Sequence, residues 1–132
     1  MAELVTDQPG LVDLLGEFFD AQLPVNAHSL ALEASHRGLA GAGFLFSFSV
    51  LNTNASAQYI QLHDSFNAPG SGAVPSVVYT VAGSSNLVVA YTVPGRPFVQ
   101  GLWIVNSSTS ATLTAGSADC FFDLQVIPAG ML

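Results

Sequence analysis

The residues of this chain that could do chemistry are three histidines (His28, His36 and His63), fourteen serines, nine acids and the single Cys120. A metal centre needs ligands converging on one ion. His28 and His36 share the parity of an extended segment, but eight residues of strand hold them more than about 20 Å apart, beyond the reach of one ion. His63 and Asp64 are adjacent, so in a strand their side chains leave opposite faces. No metal site is expected.

A Ser-His-Asp triad is open on composition alone, but no G-x-S-x-G elbow is present and no strand-turn-helix pattern exists to display one. A phosphate-cradling G-x-x-x-x-G-K loop is impossible without a lysine. Cys120 falls in phase with Phe122, Leu124 and Val126, which reads as a small buried apolar residue and not as a nucleophile. No catalytic residue, cofactor or enzymatic activity is expected.

Trp103 admits two readings, a stacking platform for a sugar or a core residue. Its neighbours Leu102, Ile104 and Val105 favour a strand buried on both sides, hence core.

The elements that position these residues are mostly strands. From Gly101 to Val126, runs of branched and aromatic residues are separated by clusters of Ser, Asn, Asp and Gly. Working from the start, Asp7-Gln8-Pro9 suits the opening of a helix. Leu11, Leu14, Leu15, Phe18 and Phe19 then recur at i, i+3, i+4, i+7 and i+8, with Asp13, Glu17 and Asp20 opposite and Pro24 beyond, which predicts a helix over 9–22. So short a helix needs its apolar face covered, by its own domain or as an arm on a neighbouring surface. Its acidic polar face argues against lying on a membrane.

Past Asn26 the period becomes two. His28 to Arg37 alternates as one half-buried strand. Gly38, Gly41 and Gly43 interrupt it, and Phe44, Phe46, Phe48 and Val50 line the core face of the next strand. Further strands are expected at 57–62, 76–81, 87–93, 98–105, 112–114 and 120–127. Between the strands at 57–62 and 76–81, Asp64 to Pro75 is a loop rich in Gly and Pro. It is a candidate contact loop through Ser65, Phe66, Asn67 and Pro69, or else a plain crossover between sheets. About eight short strands with regular turn signals predict an all-β antiparallel sandwich, with a jelly roll as one form of it. The expected organisation is an arm over 1–27, a sandwich over 28–127 and a tail over 128–132.

Composition narrows the function classes. There is no lysine, and Arg37 and Arg96 are the only basic side chains against nine acids, giving a net charge of -7. Two arginines cannot form the basic stripe that nucleic-acid phosphates require. Six of the nine acids lie in the first 33 residues, so the rest of the chain is polar without being charged. Strand edges are normally guarded by charge, and a mean hydropathy of +0.50 with so few charges implies edges covered by other copies. The start of the chain has no basic and apolar signal pattern, and the apolar stretch Leu39–Leu51 is too short to cross a bilayer as a helix.

The segments Tyr59-Ile60-Gln61-Leu62-His63-Asp64-Ser65, then the Gly-Pro loop, Gly101-Leu102-Trp103-Ile104-Val105-Asn106-Ser107-Ser108-Thr109 and Ala111-Thr112-Leu113-Thr114 resemble the small β-sandwich virion proteins of tailed bacteriophages. The resemblance spans residues 44–127. It implies a capsid cement or decoration protein, commonly a trimer, that binds the major capsid protein on the outside of the virion after synthesis in the host cytoplasm. Similar sandwiches occur in tail and fibre components, so a glycan-binding module using the Asp64–Pro75 loop is the alternative. The resemblance implies no catalytic residues.

Overall fold

The computed structural model describes residues 24–131. The helix expected over 9–22, with Leu11, Leu14, Leu15, Phe18 and Phe19 on its apolar face, lies outside the described residues.

Nine strands follow one another: β1 (Val25–His28), β2 (Ser35–Leu39), β3 (Gly43–Asn52), β4 (Gln58–Asp64), β5 (Val77–Val81), β6 (Ser85–Ala90), β7 (Arg96–Phe98), β8 (Leu102–Ser107) and β9 (Cys120–Pro128). They form two antiparallel sheets. The first has the order β1-β9-β3-β6, with β7 also paired to β3; the second has the order β2-β8-β4-β5. The fold is all-β and sandwich-like, as the spacing of turn residues predicts. Between the sheets lie Leu45, Val50, Phe122 and Leu124 from the first and Ile60, Leu62, Leu102 and Ile104 from the second, all fully buried. Cys120 is sealed in the same core, and burial pushes its thiol up to about 11.

Four expectations need correction. The alternating run from His28 to Arg37 is not one strand but two, β1 in the first sheet and β2 in the second. Ser29 makes the change of sheet: its N–H donates to the Phe122 carbonyl at 2.8 Å and its Oγ accepts the Phe122 N–H at 3.0 Å. A hydroxyl thus continues the ladder where the backbone bends away, and Leu30 is left 91% exposed. Alternation by itself cannot distinguish a straight strand from two strands joined by such a corner.

The phenylalanines of β3 also split. The register slips between Leu45 and Ser47 in the pairing with β9, an irregularity that places one extra residue on β3. Leu45, Phe48 and Val50 therefore face the core, while Phe44 and Phe46 are only half-buried.

The segment expected as a single strand over 98–105 is interrupted by Val99–Gly101. Here the Asp64 carboxylate accepts the N–H groups of Val99 and Gln100 at 2.8–3.1 Å. Gly101 adopts a φ of 153°, and a Cβ on it would sit 2.7 Å from the Ser65 carbonyl oxygen and 2.9 Å from that of Leu39. Only glycine fits between those two backbones. The expected strand at 112–114 is likewise loop, tied to β8 by one bridge between Ser107 and Ala115.

Candidate functional site

The second sheet turns its outer face toward two loops, and the residues of interest gather between them. Antiparallel register places Arg37 of β2, Trp103 of β8 and His63 of β4 in one cross-strand row. The next row holds Ser35, Val105 and Gln61. Such rows usually face water, yet Val105, Gln61 and His63 are all buried. Residues 65–76 and 108–116 cover them.

The loop between β4 and β5 is not a crossover between sheets, since β4 and β5 are neighbours in one sheet. Its length is used instead to fold back over that sheet. It meets the second loop through the Gly72 N–H donating to the Leu113 carbonyl and the Leu113 N–H donating to the Ala73 carbonyl, both at 2.8 Å. Leu113 is buried beneath this junction.

Gln61 clasps the second loop from below. Its side-chain amide donates to the carbonyls of Thr109, Ser110 and Thr112 at 2.9, 3.3 and 3.1 Å. That use of the nitrogen leaves Oε1 as the acceptor for His63, whose Nε2–H donates to it at 2.8 Å. His63 is therefore held as the neutral Nε2–H tautomer, and burial holds its pKa below the ordinary histidine value. Ser107 works beside it, donating through Oγ to the Thr109 carbonyl at 2.7 Å while that oxygen accepts the N–H groups of Thr109 and Thr114.

At the open end of the face the structure assembles a cation between aromatic rings. The Arg37 guanidinium carbon lies 4.8 Å from the centre of Phe66 and 5.9 Å from that of Trp103. The Trp103 Nε1–H donates to the Phe66 carbonyl at 3.2 Å, which fixes the loop above the cation. Trp103 is thus half-buried on the outer face, and not in the core as its apolar neighbours imply. Those neighbours mislead because Leu102 and Ile104 point inward while Val105 is covered by a loop rather than by the other sheet.

Among the described residues Arg37 has an aromatic setting but no acid partner. The one contact between basic and acidic side chains among the described residues joins His36 to Glu33 at 3.0 Å. Arg37 Nε is buried with no hydrogen-bond acceptor. Leaving such a donor unpaired costs about 1–3 kcal/mol.

No family model, curated protein or solved structure matches this chain.

Of the four loop residues singled out from sequence, Phe66 alone reaches the Arg37–Trp103 pair. Ser65 donates to the Asn67 carbonyl at 2.6 Å and shapes the turn; Asn67 is exposed and Pro69 half-buried. Nothing in the local sequence marks Arg37 as a site residue. Its scarcity was the available signal, since a chain with two cations seldom leaves one inside an aromatic pair without use.

The three histidines stand apart, one on each of β1, β2 and β4. Among the described residues no group of three or more His, Cys, Asp or Glu is placed to hold a metal. No serine hydroxyl there bonds a histidine ring. Asp64, the acid beside His63, is spent on backbone: burial raises its carboxyl, but the N–H groups of Val99, Gln100 and Gly101 more than offset that and hold it below the usual range. The site can clasp loops and present a cation; it has no base aligned on a nucleophile.

Proposed function

We propose that the chain is a structural protein of a tailed-phage virion, a capsid cement or decoration protein that assembles with copies of itself and with the major capsid protein. The observation that carries this reading is the state of two strand edges. β5 closes the second sheet and β6 closes the first, and each has a strand partner on one side only. Between Asp64 and Arg96 there is no charged residue, so neither edge carries a guarding charge. Val88 on β6 is 75% exposed, and Val74, Val93 and Val99 are equally open. An edge of this kind is a template for pairing with another chain unless a neighbour covers it.

The strand order gives further support. We read the order β1-β9-β3-β6 facing β2-β8-β4-β5 as that of a jelly roll, an architecture used by viral capsid proteins and by lectins. Fold does not fix function, so this order ranks behind the edges as a warrant. A trimer is the assembly expected.

Light scattering on the full chain tests the reading. The native chain is expected to run as an oligomer, and Thr80→Lys with Val88→Lys to run as a folded monomer. A native chain that stays monomeric and fails to bind shells of its major capsid protein overturns it.

A further inference from the structure

The geometry points to a ligand site at the open end of the second sheet: we propose that Arg37, Phe66 and Trp103 bind the carboxylate of an acidic sugar, a uronic or sialic acid residue on an otherwise uncharged glycan. The site is local to β2, β8 and one loop, and it holds or fails independently of the capsid reading.

The guanidinium is held in place by aromatic rings and not by hydrogen bonds. Its Nε is turned inward and buried, while the two terminal nitrogens meet no acceptor among the described residues. Two open Nη groups form a fork of parallel N–H donors that fits the two oxygens of a carboxylate better than any neutral group. The described residues do not supply that carboxylate, because all four of their acids are engaged. Glu33 pairs with His36, and Asp64 accepts the Val99 and Gln100 N–H groups. Asp119 accepts the Asn54 amide at 2.9 Å and Asp123 the Asn26 amide at 2.6 Å. The same residues on a second copy would have to leave those partners to reach Arg37.

Charge then limits the kind of molecule. A single guanidinium on a chain of net charge -7 balances one negative charge, and the rest of the protein repels a polyanion. A lone carboxylate on a neutral carrier is favoured over a phosphate dianion or a run of acidic residues. The surroundings of Arg37 select the carrier. Phe66 is 55% exposed, so beyond the part turned to Arg37 its ring offers an apolar surface to the C–H face of a pyranose. Asn67, next on the loop and exposed, has a side-chain amide that bonds no described residue and is free to meet hydroxyl groups. The Trp103 Nε1–H holds the Phe66 carbonyl at 3.2 Å and so keeps the loop in position before any ligand arrives. A guanidinium, an aromatic ring and an amide thus stand ready for a carboxylate, a C–H face and hydroxyls.

Trp103 is the one tryptophan of the chain, so its emission reads this site directly. The full native chain is titrated with the methyl glycosides of glucuronic acid and of N-acetylneuraminic acid. Three controls run beside them: methyl glucoside, which lacks the carboxylate; propionate, which lacks the ring; and N-acetylglutamate methylamide, which carries the carboxylate on a peptide. At least one acidic sugar should change the emission saturably, with an affinity about tenfold or more above that of every control. Arg37→Gln should weaken that binding about tenfold or more, and Phe66→Ala, on an exposed loop, several-fold, with amide spectra showing that each variant is folded. Should Arg37→Gln fail to fold, Phe66→Ala decides. No saturable change with either acidic sugar, together with no saturation transfer from protein to sugar in NMR, overturns the proposal. Equal binding of any control overturns it too, as does binding that the folded variants leave unchanged.

Discussion

His63 shows how one buried side chain can set the acid limit of a loop. Its ring is 3% exposed and gives its only proton to Gln61, which in turn holds three carbonyls of the 108–116 loop. Burial lowers its folded pKa below the value of about 6.5 in the unfolded chain. The unfolded state therefore binds the proton more readily, and stability rises with pH. The contribution is complete above about pH 6.5 and is lost as pH falls toward the folded value. Urea melts at pH 7.5 and pH 5 should show a lower midpoint at pH 5 for the native chain. His63→Gln, which keeps an N–H donor but does not titrate, should shrink that difference; an unchanged difference would assign the acid sensitivity elsewhere. Cys120 makes the complementary case. With its thiol sealed and raised to about 11, it should react with an aromatic disulfide reagent at pH 8 only after denaturant is added. Prompt labelling of the folded chain would contradict its burial.

Among the elements, β3 gives the sharpest contrast. Phe46 and Phe48 are two apart in sequence and would share a face in a regular strand, but the slip beside Phe46 separates them. Phe48→Ala is expected to cost about 3–5 kcal/mol, and Phe46→Ala much less. Equal losses in chemical denaturation would mean that the two rings share the core after all. The same element marks how far the sequence could be read. Turn chemistry and alternation located β3, β4, β5 and β9 closely, because each is bounded by Gly, Asn, Ser or Pro. The slip in β3, the corner at Ser29 and the break at Gly101 were not legible, since each depends on a partner far along the chain: Val126, Phe122 and Ser65. The site was legible in the same proportion. The loop holding Phe66 announced itself by composition, whereas Arg37 and Trp103 became partners only through the register of β2 with β8.

For the whole molecule, the proposed assembly can be tested apart from the fold. Removing residues 1–22 should leave the sandwich folded, because its described core draws on residues from Ala27 onward. If the segment with Leu11, Leu14, Leu15, Phe18 and Phe19 attaches the protein to the shell, the same deletion should abolish co-sedimentation with capsids. A truncated chain that decorates capsids normally would remove the arm from the mechanism and leave the β5 and β6 edges as the attachment surface.

The placement of β9 between β1 and β3, and of β8 between β2 and β4, also governs how the chain comes into being. Val25 lies across from Val126, about a hundred residues later. Neither sheet has its centre until the last strands have been made, so a nascent chain still on the ribosome holds only isolated edge pairs and cannot close either layer. Folding must wait until β8 and β9 have been made, and its rate should fall in the slow range set by such distant pairing, milliseconds to seconds. During that interval the uncharged stretch between Asp64 and Arg96 is without its partners, which makes synthesis, more than the folded state, the moment at which this protein is exposed to aggregation.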